Sequence, residues 1–312
     1  MHSFSRRRFL ATAIISALVV ACTGNKVEKR VESLSSPTLT KKPTRIVALE
    51  WVYAEDLLAL GIQPVGVADI SSYKQFVNVQ PKLADTVVNV GTRQEPSLEA
   101  IAKLEPDLIL GVELRHEMIY DTLSSIAPTL LFNPYPPPNK FNQLDEMQQT
   151  FLAIADAVNR RDAGEGVLQQ MRGTFKIAAD RLRSADFTGS PFILAHFVPG
   201  TPQPRLFTDN AMAVQVLTQI GLENAWQGEI DRFGFNTVGV EALPAVEQAN
   251  FLYIAEEEDV QWQQFQNNPV WKGLEFIQES RIYPIGADTW VFGGPLSARV
   301  LVNNVVAALS NR

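Results

Sequence analysis

The sequence predicts an α/β protein of two Rossmann-like lobes, each with a parallel-rich sheet, joined by a long helix with the ligand cleft between the lobes. Three observations carry this. Short apolar runs alternate with segments of helical spacing, which is the pattern of a parallel sheet covered on both faces. A run of prolines, Pro136-Pro137-Pro138, interrupts the alternation near the middle, where neither strand nor helix can continue. A helical stripe follows it, and strand and helix alternation then resumes.

The first element is the run Arg45-Ile46-Val47-Ala48-Leu49-Glu50, read as a buried parallel strand. Tyr53 to Leu60 has helical spacing and stops at Gly61, a favourable residue past a helix end. Pro64 to Ala68 and Val87 to Val90 read as strands. Ser97 reads as an N-cap with Glu99 in the first turn of a helix through Lys103. Asp107 to Leu110 is a strand, Glu117 to Ile126 a helix and Thr129 to Phe132 a strand. Beyond the prolines, Leu144, Met147, Phe151, Ile154, Ala155 and Val158 form one apolar stripe, the mark of a long helix with one buried side. A second helix runs from Asp162 to Arg183. Strands follow at Pro191–Phe197, Phe251–Ala255 and Arg281–Ile285. Helices are expected at Ala211–Ile220, Asp259–Phe265 and Ser297–Leu309. A weak internal echo relates Leu98-Glu99-Ala100-Ile101 and the strand after it to Val240-Glu241-Ala242-Leu243 and the strand after that.

The N-terminus reads as an address. Arg6, Arg7 and Arg8 precede an apolar run from Phe9 to Ala21. As a helix that run rises about 20 Å, too little for a hydrocarbon core of roughly 30 Å. Charged start, short apolar run and small residues at its end make a secretory signal. Ser5-Arg6-Arg7-Arg8-Phe9-Leu10 resembles the twin-arginine export type. Leu18-Val19-Val20-Ala21-Cys22 resembles a lipobox, which makes Cys22, the single cysteine of the chain, a candidate lipidation site. The polar stretch after it fits a tether. The expected organisation is signal 1–21, tether 22–43, first lobe 44–140, linker helix 141–160 and second lobe 161–312.

Composition removes several classes of function. The 312 residues are 46% hydrophobic and 20% charged, an ordinary globular balance. One cysteine allows neither an internal disulfide nor a cysteine metal site. The charge is −7 overall; without the signal it is 24 basic against 34 acidic residues, or −10. With no basic stripe, nucleic acid is a poor partner. The chain has no G-x-S-x-G elbow, phosphate loop, G-x-G-x-x-G or H-E-x-x-H, so an enzyme is not expected. His116 and His196 lack metal-ligand spacing and read as surface or packed residues.

Aromatic residues stand out at strand ends and in loops: Trp51, Phe76, Phe233, Phe235, Trp290 and Phe292. Aromatic walls with few polar groups suit a small-molecule cleft. Arg93, in Gly91-Thr92-Arg93-Gln94-Glu95-Pro96, is the charge in this set. It has the donors to hold a cluster of ligand oxygens.

Several of these segments resemble the iron(III)-hydroxamate siderophore-binding proteins of ABC importers, within the helical-backbone substrate-binding proteins. They are Arg45–Trp51, Leu57–Ile62, Val65–Asp69, Val90–Glu99, Asn224–Glu229, Pro269–Trp271 and Gly293–Ala298. The resemblance implies a two-lobed, lipid-anchored monomer on the periplasmic face of the inner membrane. It implies no cofactor; the ligand is an iron(III)-siderophore complex that brings all its own iron ligands. Arg93 would bond the hydroxamate oxygens, and Trp51, Phe76, Phe233 and Trp290 would line the cleft. One member of the family has tryptophan at the positions of Phe76 and Phe233. The family also has a tyrosine after the Asp107–Leu110 strand, where this chain offers Arg115. A second arginine favours a more anionic chelate, a citrate-hydroxamate or ferric citrate. Glu117 and Glu241 match the acidic residues that dock on the permease dimer, whose ATPase subunits drive import; as acids at helix starts they also complement the helix dipole. Ferric dicitrate, haem and cobalamin remain as alternative ligands, and an anchored α/β hydrolase as an alternative of another class.

Overall fold

The computed structural model describes residues 41–137 and 142–310. The expected signal, Cys22, residues 22–40 of the tether and Pro138 lie outside the described residues.

The first sheet is built from β1 (Ile46–Ala48), β2 (Gly66–Val67), β3 (Val88–Asn89), β4 (Leu108–Val112) and β5 (Thr129–Phe132), in the order β3-β2-β1-β4-β5. All its pairings are parallel. This is a doubly wound order in which the loops after the strands share one edge. Successive residues of β1 serve opposite faces. Ile46 and Ala48 enter one apolar cluster, while Val47 and Leu49 enter another with Ile101, Ile109 and Leu123. Burial on both faces is why the run is apolar without alternation.

The second sheet comprises β6 (Pro191–His196), β7 (Arg205–Phe207), β8 (Glu223–Asn224), β9 (Phe235–Thr237), β10 (Asn250–Ile254) and β11 (Ile282–Pro284). Its order is β11-β10-β6-β7-β9, with β8 also paired to β6. The β6, β8, β10 and β11 pairings are parallel; β7 runs antiparallel to β6 and β9. The sequence reading contained neither β7 nor β9. Each has three residues, too few to display a period.

The predicted Ser97 cap forms, and Asn142 supplies a second cap that the sequence reading did not contain. The Ser97 hydroxyl accepts from Ala100 N (3.2 Å) ahead of Leu98–Lys103. Asn142 accepts from Asp145 N (2.7 Å) ahead of Gln143–Ala157. The helix expected from Tyr53 begins at Trp51, because the Glu50 side chain accepts from Trp51 N. Phe76 lies in the helix Ile70–Phe76 and not in a polar loop. The stretch Gly111–His116 is the end of β4 plus a helical turn, Glu113–His116. Val240–Val246 is a 3-10 helix that contains Pro244.

The join between the lobes is broader than one linker helix. Gln143–Ala157 leads after a short turn into Arg161–Ser184, a helix of 24 residues. The closing helix Pro295–Ser310 packs on Arg161–Ser184 and also on Trp51–Ala59 of the first lobe. One apolar cluster includes Ile46 and Leu110 of the first sheet, Phe151 and Phe175 of the connecting helices, and Phe192 and Leu252 of the second sheet. Opening the lobes would expose part of that shared core, which disfavours wide hinge motion.

Candidate functional site

Because the first sheet is parallel, the loops that follow β1, β3 and β4 meet at one edge. They bring together Glu50, Arg93 and Arg115. Glu50 Oε1 accepts from Arg93 Nη1 at 3.0 Å, and Oε2 accepts from Arg115 Nη1 at 2.6 Å. Trp51 N also donates to Oε1 at 3.0 Å. One carboxylate with 9% side-chain exposure thus orients two guanidinium groups. Charge-assisted bonds of this kind are shorter and stronger than neutral ones. Asp69 Oδ2 stands 3.7 Å from Arg93 Nε, and the Arg93 guanidinium lies 3.5 Å from the Trp51 ring centroid. That places it within cation–π range.

The Arg93 loop is fixed from beneath. His116 is fully buried; its Nδ1 accepts from Val112 N (2.9 Å) and its Nε2 donates to the Arg93 carbonyl (3.0 Å). Burial lowers its pKa, so the ring stays neutral and serves as a strut between β4 and the loop. Gly91 has φ +98°, and a Cβ there would stand 2.8 Å from Ser97 N and 2.9 Å from the Glu95 carbonyl. A residue with a side chain does not fit this turn.

The second lobe supplies the facing wall. Arg205 pairs with His196 at the end of β6, and its guanidinium lies 4.6 Å from the Phe235 ring centroid. It forms no salt bridge among the described residues. Burial lowers its pKa while nearby Tyr135 opposes that shift; an arginine so placed keeps its charge. Tyr135 is itself pushed up to about 12 by burial and stays a phenol. Its ring meets Phe233 edge-on at 5.1 Å; Phe233 stacks with Phe235, and Phe235 with Trp290 surrounds Phe292. Trp290 closes the series against Trp51 at 4.9 Å.

Together these groups enclose a cavity of about 410 Å³, within the range of small-molecule sites. Arg93, Arg115, Phe233, Trp290 and Phe292 line it. Trp51 and Phe76, expected on its wall, stand one layer back. Trp51 is 2% exposed beneath Arg93, and half-buried Phe76 stacks on it at 6.4 Å. Glu117 and Glu241 are exposed, each in the first turn of a 3-10 helix outside the cavity. In the internal echo the counterpart of Glu241 is Glu99, also exposed, which pairs with Lys103. Cys22 is outside the described residues.

The sequence reading missed Glu50, Tyr135 and Arg205 as lining residues. Glu50 was visible as a carboxylate ending an otherwise apolar strand. Tyr135 carried a signal only as an aromatic beside the prolines. Arg205 carried none. It also missed a further part of the lining, made by Tyr53, Asp56, Gln143, Glu146 and Thr150. Tyr53 and Asp56, three apart on one helix, read as ordinary helix residues.

Two lobes, a shared rigid core and an enclosed polar–aromatic cleft define a ligand-binding protein. The chain belongs to the periplasmic binding protein family, whose pattern it matches over residues 46–289. That family binds substrates for transport and is not a family of enzymes. The chain is 31% identical over 273 residues to the Escherichia coli iron(3+)-hydroxamate-binding protein FhuD, covering 84% of this chain and 87% of that one. It is 29% identical to the Escherichia coli Fe(3+) dicitrate-binding periplasmic protein FecB, over 81% of this chain and 80% of that one. The crystal structure of Fe3+–Desferal-bound FhuD from Vibrio cholerae superposes with a TM-score of 0.78 at 29% identity, covering 85% of this chain and 97% of that one.

Proposed function

We propose that this protein captures a ferric siderophore in the cleft and delivers it to an ABC importer in the inner membrane. The observation that carries the reading is the pair of arginines oriented by Glu50 on an aromatic-walled cavity. A ferric hydroxamate or citrate-hydroxamate presents a cluster of anionic oxygens around a hydrophobic frame. Guanidinium forks suit the oxygens and the rings suit the frame. The siderophore supplies the iron ligands and the protein grips the outside of the complex. The iron chelates named for FhuD and FecB support the same class.

In this reading Glu117 and Glu241 are the acids that meet a permease dimer, and the protein acts as a monomer held at the membrane through an acylated Cys22. A citrate-type ferric chelate is the second reading. Arg115 and Arg205 favour it, since one Glu50 carboxylate is shared by Arg93 and Arg115 while Arg205 forms no salt bridge among the described residues. Titration of purified protein by tryptophan fluorescence tests both, because Trp290 and Trp51 flank the site. The expected result is saturable quenching by a ferric trihydroxamate or citrate-hydroxamate, with haem and cobalamin inert. Quenching by haem or cobalamin alone would overturn the proposal.

A further inference from the structure

The lining of the cavity holds two chemically opposite sets of side chains. One is Arg93, Arg115 and Arg205. In the other, the helix Trp51–Ala59 contributes Tyr53 and Asp56, and the helix Gln143–Ala157 contributes Glu146 and Thr150. Residues three apart share a helix face, so Tyr53 and Asp56 present their polar atoms together. Tyr53 and Asp56 are each 1% exposed, and Glu146 is 5% exposed. Tyr53 Oη and Asp56 Oδ1 have no hydrogen-bond partner. Glu146 accepts one bond, from Thr150 Oγ1 at 2.5 Å.

The neighbouring acid has an evident structural use. Glu55 accepts from Ser297 N (2.8 Å) and Ser297 Oγ (2.5 Å) at the start of the closing helix, where a carboxylate is favoured. Asp56 and Glu146 receive no such pair of bonds, although Asp56 Oδ1 also stands against Gly294 at that helix start. Neither forms a salt bridge, and the charges that act on them are carboxylates: Glu55 and Glu146 on Asp56, and Glu113 on Glu146. Burial and that repulsion push Asp56 well up and Glu146 up to about 8. Buried polar atoms without partners are rare in folded proteins, and each one calls for a reason.

We propose that this acidic part of the lining is a subsite for a protonated primary amine on the ligand, received by Asp56, Glu146 and the Tyr53 hydroxyl. An ammonium has three donors and no acceptor. These residues offer two carboxyl groups and a phenol oxygen, and neither carboxyl group is paired with a cation among the described residues. A bound metal ion fits less well, because no group of three or more His, Cys, Asp or Glu among the described residues is arranged to hold one. The ligand is then a ferric chelate with a pendant amine, its oxygen cluster at the arginines and its amine at the acids. This inference rests on the ferric-chelate reading and narrows it.

The test compares two probes on the full mature protein by fluorescence titration. One is a linear ferric trihydroxamate with a free terminal primary amine; the other is the same chelate with that amine acetylated. The wild type is expected to bind the amine form at least tenfold more tightly. Asp56→Asn combined with Glu146→Gln is expected to bring the ratio of the two dissociation constants within twofold. Each single variant, checked for folding by thermal unfolding, should fall between. Arg115→Gln, in the basic set, should weaken both probes and keep the ratio. Equal binding of the probes by wild type overturns the inference and leaves the ferric-chelate reading intact. So does a ratio that survives the double substitution. Binding of neither probe overturns both.

Discussion

Glu50 holds two arginines, so losing one should have a different consequence from losing both. In Arg93→Ala, Glu50 keeps Arg115 at 2.6 Å and the Trp51 amide at 3.0 Å. The loss is one charge-assisted bond and one cation–π contact, about 1–2 kcal/mol. At roughly 2–4 °C per kcal/mol, thermal unfolding should fall by about 2–8 °C. Arg115→Ala should behave alike. The double substitution leaves a carboxylate with 9% side-chain exposure and no cation. Removing the partners of a buried charge costs about 3–5 kcal/mol, about 1 kcal/mol more than the roughly 2–4 that two additive singles would give. Adding Glu50→Gln removes the orphaned charge and should restore most of the stability. Binding should separate from stability. Arg93→Ala is expected to weaken a ferric chelate roughly 30- to 150-fold, the worth of a hydrogen bond to a charged group, about 2–3 kcal/mol. Scanning calorimetry and fluorescence titration on the five proteins give both quantities. Additive losses with no rescue by Glu50→Gln, or an Arg93→Ala protein that titrates within threefold of wild type, would refute the reasoning.

Further predictions follow from the buried acids and the docking surface. Burial raises Glu146 from 4.5 to about 8, so between those values the native state holds a proton that the unfolded chain releases. Its stabilisation is complete below the unfolded pKa and is lost as pH rises toward 8, by about 1.4 kcal/mol per unit. Glu146→Gln should therefore flatten the fall in urea midpoint between pH 5 and 7.5; parallel curves would count against a buried protonated Glu146. At Gly294 a Cβ would stand 2.5 Å from Asp56 Oδ1 and 3.1 Å from Glu55 Oε1. Gly294→Ala should cost about 1–3 kcal/mol by overpacking, and unchanged thermal unfolding would show that the closing helix can shift. Lysine at both Glu117 and Glu241 should preserve chelate affinity in vitro and abolish uptake in cells. Normal uptake would remove these two residues from the docking surface.

Much of the fold is legible because its elements carry their own signals. The strand Ile46–Ala48 is apolar throughout, Ser97 caps a helix, and the Leu144–Val158 stripe marks the first connecting helix. Arg93 was legible too, in a Gly- and Pro-bounded loop among strand-end aromatics. Tyr53 and Asp56 were not. In sequence they share a short helix with Leu57 and Leu58, and nothing local marks their polar groups as buried. The helices Gln143–Ala157 and Pro295–Ser310 pack against that helix, and both residues are buried. Arg205 was hidden for another reason. It lies in a three-residue antiparallel strand whose place depends on pairing with His196 and Thr237.

By itself, the sequence determined the layered α/β class, the order of most elements, Arg93 in its loop, and an aromatic site without enzyme motifs. These are local properties: periodicity, capping, turn residues and side-chain chemistry. Only the tertiary structure decided that Glu50 joins the arginines, that Trp51 and Phe76 stand behind the wall, and that buried acids line the cleft as well as arginines. Such relations depend on which loops meet at a sheet edge and which helix faces are covered. Residues as far apart in the chain as Glu55 and Ser297 touch only once the lobes have packed on their shared core.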